Sequence, residues 1–153
     1  MKFTTAIAAG IAALTMALPV PAVANSISTA ENLRRLDIML MVTSLRCRTT
    51  ADTFQEDYAR FSANHLDDFN AANRALKAEM TARTGRAGVE RELDRMSVIM
   101  ANSYGQGHPW LNCHDLKSVT RSLADAHGVA PLKEAAAELL ASEHGDQLAL
   151  GVR

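Results

Sequence analysis

A chain of 153 residues that is 48% apolar and 22% charged, with a formal charge of −1, has the size of one globular domain and lacks the basic excess of a nucleic-acid binder. Eight glycines and four prolines argue against disorder and fibrous repeats. Only 5% aromatic residues and few β-branched ones argue against an all-β domain.

The chain opens on the pattern of a secretory signal. Lys2 supplies the positive start, an apolar stretch runs from Ala6 to Leu18, and Pro19 and Pro21 interrupt it. Ala22-Val23-Ala24 then gives the small-x-small pattern read by signal peptidase, so the expected cut lies between Ala24 and Asn25. The apolar stretch is shorter than the ~20 residues needed to span a bilayer, which disfavours a retained transmembrane anchor. The expected organisation is a signal peptide over 1–24, a helical domain over 25–145 and a frayed tail over 146–153.

Five helices are predicted after the signal. Ser28 and Glu31 have capping-box spacing, and Leu33, Leu36, Leu40, Thr43 and Cys47 follow on one helical face. Thr53 and Glu56 form a second box. Phe54, Tyr58, Phe61, His65, Phe69, Ala72, Leu76 and Met80 then hold one stripe, which predicts a long second helix over about 51–83, with Gly85 as its left-handed cap. A third helix over about 88–104 carries Val89, Leu93, Met96, Met100 and Tyr104. A fourth spans about 113–127, and a fifth, with Pro131 in its first turn, about 130–144. Strand-like alternation is absent. The reading is an all-α, single-domain bundle.

Cys47 and Cys113 are the two cysteines, and an exported chain favours their pairing. No CxxC or CxxCH supports a metal or haem alternative. Helix order agrees with the bond. If the first helix runs up, the second down and the third up, Cys47 and the loop before Cys113 fall at one end.

Residues 104–114 concentrate the candidate chemistry. Tyr104, Gln106, His108 and Trp110 are candidate contacts for a ligand or partner, with aromatic faces for stacking and polar groups for hydrogen bonds. The competing reading places Trp110 as a plug of the core beside the disulfide. The GxG of this loop fails as a dinucleotide fingerprint, because Trp110 occupies the third glycine position and a helix precedes it. His65, His108 and His114 are weak metal candidates, and His65 with Asp68 at i and i+3 fits a core histidine held by a carboxylate. Glu90 and Asp94, interleaved with Arg91 and Arg95, read as a solvated face. Met39, Met41, Met96 and Met100 read as core filling before copper ligands. No catalytic residue and no cofactor is assigned.

The run Asn32-Leu33-Arg34-Arg35-Leu36-Asp37-Ile38-Met39-Leu40-Met41, then Leu45-Arg46-Cys47-Arg48, and Ala101-Asn102-Ser103-Tyr104-Gly105-Gln106-Gly107-His108-Pro109-Trp110 resemble a set of short exported helical proteins of alphaproteobacteria. The resemblance covers nearly all of the chain after the signal. It implies export and carries no catalytic residue. Some members bear the label S-adenosylhomocysteine hydrolase, which implies a large NAD-dependent enzyme with a Rossmann domain; this chain has neither that length nor that glycine pattern. The expectation is therefore a periplasmic, non-enzymatic protein that binds a protein or small-molecule partner through its cysteine end. A metal- or haem-handling protein is one alternative and a small envelope hydrolase the other.

Overall fold

The helical stripes fold as six α-helices, with no strand, in a computed structural model that describes residues 23–140. They are α1 (Val23–Arg46), α2 (Gln55–Asn64), α3 (Leu66–Thr84), α4 (Arg86–Ser103), α5 (Cys113–Asp125) and α6 (Val129–Leu139), with a 3-10 turn over Cys47–Thr49. Residues 1–22 of the expected signal, residues 141–145 at the end of the expected fifth helix and domain, and the expected tail over 146–153 lie outside the described residues. Among the described residues, no helix is long and apolar enough to cross a membrane.

α1 is the axis of the bundle, because its apolar positions go nearly all the way round. It packs against all five other helices, while α2 pairs with α5 and α3 with α4. Leu33, Leu36, Met39 and Leu40 join Phe54, Phe61, Leu116 and Leu132 in the main core. A second cluster of Ala30, Leu76, Met80, Val89 and Leu93 closes the far end between α1, α3 and α4. The buried hydroxyls of Thr43 and Thr120 donate to the carbonyls of Met39 and Leu116, both at 2.7 Å, so neither leaves an unmet polar group in the core.

Four local expectations change. The long second helix is two helices, because the backbone leaves helical geometry at His65 (φ −107°, ψ 15°). At that bend, His65 Nε2–H donates to the Leu123 carbonyl (2.8 Å) and Asn64 Nδ2 to the Ala124 carbonyl (2.8 Å), satisfying the end of α5. The apolar stripe continues through the bend, with Phe61 in ring contact with His65 and Phe69 at 5.4 and 5.5 Å. The Thr53 box does not form, since buried Phe54 takes the N-cap position of α2. Ser28 lies inside α1, because no glycine or proline stops the helix between Val23 and Ser28. Gly85 has φ 72° but ψ 163°, so it is no left-handed helical cap; it joins α3 to α4 in one residue through a conformation that glycine tolerates.

Helix directions agree with the expected bond. Arg34 donates to Ser97 Oγ (2.6 Å) and Arg46 to the Gly105 carbonyl (3.2 Å), so α1 and α4 rise in parallel. Cys47 and Cys113 meet at the top in a disulfide with their Cα atoms 5.8 Å apart.

Candidate functional site at the disulfide-closed end

Three short segments converge at this end: the 3-10 turn after α1, the loop over 104–112, and the start of α5. Asn112 caps α5 by accepting from the Asp115 amide (3.0 Å), which places Cys113 at the first helical position beneath Cys47. The loop is folded tightly on itself. The Gly107 amide donates to the Tyr104 carbonyl (2.9 Å), and Gly107 takes φ 108° to make the turn.

The four loop candidates divide by depth. Tyr104 is 1% exposed and His108 8%, and their rings stack at 6.2 Å. His108 Nε2–H donates to the Leu139 carbonyl (3.2 Å), while Nδ1 accepts from the Leu111 amide (3.2 Å). Both ring nitrogens therefore serve the fold, one of them capping the end of α6. Trp110 is not the core plug. It is 45% exposed, with its ring edge-on to His108 at 4.3 Å and 79°. The plug is the Tyr104–His108 pair, and Trp110 stands on top of it. Gln106 is exposed. Gln106 and Trp110 thus face solvent while Tyr104 and His108 lie beneath.

The metal candidates stay apart. His65 is buried at the α2–α3 bend, with Nε2 on Leu123 and Nδ1 3.3 Å from Asp68 Oδ2. His108 lies in the loop, and exposed His114 faces Asp52 at 3.3 Å on α5. Among the described residues no three His, Cys, Asp or Glu side chains are placed to hold a metal ion. Glu90 pairs with Lys77 of α3 at 2.8 Å instead of coupling to Asp94. Met39 and Met100 are buried and Met41 lies at the surface.

Two polar clusters escape the sequence reading. Inside the bundle, the Tyr58 hydroxyl donates to Asp37 Oδ1 (3.0 Å), beside Arg34 and Asn73, next to a cavity of about 40 Å³. Burial pushes the Asp37 carboxyl above the usual carboxylate range, against the lowering effects of the Tyr58 hydrogen bond and the Arg34 charge. Burial, then the charge and hydrogen bond of Asp37, push the Tyr58 hydroxyl up as well. Asp37 interrupts an apolar run in the sequence, which was the available signal.

The second cluster joins α2 to α5. Arg121 grips Asp57 with two parallel bonds of 3.2 Å, and Arg60 adds a third at 3.0 Å. The Arg121 hydrogen bond, then its charge and those of Arg60, hold the Asp57 carboxyl below the usual range. Above this pair opens a cleft of about 520 Å³, next to the disulfide. Arg48, Lys117 and Arg121 line it together with Phe54, Gln55 and Glu56 at the start of α2. Lys117 and Arg121 stand one turn apart on α5, a spacing the sequence shows, but Arg48 comes from the turn after α1, so linear spacing gave no sign of the cleft.

No protein family model, curated protein or solved structure matches the chain. The chemistry of this end is carried by its own residues.

Proposed function

We propose that the protein is an exported, periplasmic helical binding protein, without catalytic activity, that engages a protein or small ligand through the loop at its disulfide-closed end. Gln106 and Trp110 make the contacts, and Tyr104 and His108 hold them in place. The observation that carries this reading is Trp110: a large aromatic ring, half exposed, on a loop fixed by buried His108, by Arg46 and by the disulfide three residues on. Rigid exposed aromatics are the typical anchors of binding surfaces, because they bury much area at little entropic cost. Export is supported by the signal pattern over 1–24 and by a disulfide between the two cysteines.

The test is photocrosslinking in the envelope of the producing cell, with a photoreactive residue at position 106 or 110 and a control at exposed Arg83. A discrete adduct from both loop positions and none from position 83 is expected. No adduct, or the same adducts from all three, would overturn the reading.

A further inference from the structure

We infer that the cleft between α2 and α5 is an anion-binding site, taking a small molecule through a carboxylate or phosphate group held by Arg48, Lys117 and Arg121. This site is separate from the Trp110 surface and does not depend on it.

The chain as a whole is near neutral, at −1, yet three cations converge on one cleft. Of its two carboxylates, Asp57 is 8% exposed and already bound by Arg121 and by Arg60 from outside the cleft. Its charge is therefore spent on fixing Arg121 in place. Glu56 is the remaining acid, on the exposed first turn of α2. Arg48 and Lys117 have no carboxylate partner among the described residues; the one further contact of Arg48 is a 3.5 Å approach to the Leu45 carbonyl. Two uncommitted cations beside a positioned guanidinium make a local positive field on a neutral molecule. Guanidinium groups match oxyanions with paired hydrogen bonds.

The disulfide supplies the geometry. Arg48 follows Cys47 directly, and Lys117 lies one helical turn beyond Cys113. The bond joins their two backbones, with Cα atoms 5.8 Å apart, so both walls are tied together at the top of the cleft. At about 520 Å³ the space suits a small molecule rather than a lone ion.

Amide NMR of the oxidised protein, titrated with inorganic phosphate or with citrate and compared with chloride at equal ionic strength, tests this. Saturable shifts of the amides of Arg48, Gln55 and Lys117 are expected with at least one probe. A response to citrate alone assigns a carboxylate, one to phosphate alone a phosphate, and either supports the site. The double substitution Arg48→Gln with Lys117→Gln should weaken binding by about tenfold or more, the scale of one charge-assisted hydrogen bond. Arg83→Gln and Trp110→Ala should leave it unchanged. Because Arg48 is exposed and Lys117 half-buried, the double variant should keep its helical circular dichroism. Linear shifts spread over all basic residues with both probes, or an unchanged affinity in the folded double variant, would overturn the inference.

Discussion

His108 and Trp110 sit two positions apart and do opposite things. His108 is buried and bonded at both ring nitrogens, one bond closing the end of α6, so removing the ring strands the Leu139 carbonyl and the Leu111 amide. His108→Ala should cost about 1–3 kcal/mol, as expected for buried groups left without partners. Trp110→Ala should change stability by no more than about 0.5 kcal/mol, in line with exposed positions. Urea unfolding of both variants checks the contrast; equal losses would return Trp110 to the core. Asp37 makes a second residue-scale prediction. A carboxyl whose proton is held more tightly in the folded chain lowers stability as pH rises from its ordinary range through the raised folded value, and that penalty is complete above it. Asp37→Asn removes the charge and keeps an acceptor for the Tyr58 hydroxyl. The urea midpoint of the variant at pH 7 should equal or exceed that of the parent, and a loss above about 1 kcal/mol would contradict the assigned burial penalty.

At the scale of elements, helix ends decide the details that periodicity misses. The apolar stripes were legible because each position repeats every three or four residues, and they place α1, α4, α5 and α6 close to where they stand. The break at His65 was not legible. Its cause is the end of α5, some sixty residues away, whose carbonyls draw in Asn64 and His65. The sequence left Trp110 between a contact and a core plug for a related reason: a lone tryptophan reads equally as core until a histidine beneath it is seen to fill that space. The cleft was equally hidden: Arg48 reaches Lys117 and Arg121 of α5 only through the Cys47–Cys113 bond, and Asp57 meets Arg121 only once α2 packs on α5. The α2–α5 pairing rests in part on Asp57 and carries a pH signature of its own. Its depressed carboxyl contributes stability in full above the ordinary carboxylate range, and that contribution is lost as pH falls through the depressed value. Asp57→Asn should cost about 1–2 kcal/mol at pH 7, after allowing for the exposed arginine partners. It should also flatten the acid limb of the stability curve between pH 5 and 2 (about the carboxylate range). An unchanged acid limb would contradict the role given to the Arg121–Asp57 pair.

For the whole molecule, one covalent bond organises the rest. It links the end of the central helix to the start of α5 across 66 residues of sequence, enclosing α2, α3 and α4 in the loop it closes. In the chain-entropy picture a loop of that length contributes about 4 kcal/mol. Both functional readings sit on it: the Trp110 loop on one side, the cationic cleft on the other. The all-α class and this pairing were legible from the sequence, because the signal pattern, helix order and the number of cysteines all led to the same bond. The most direct test is intact mass analysis of protein recovered from the envelope, unfolded in denaturant with an alkylating reagent and no reductant. A chain beginning at Asn25 with neither Cys47 nor Cys113 alkylated is the predicted result. Two alkylated thiols, or a chain still beginning at Met1, would contradict the account.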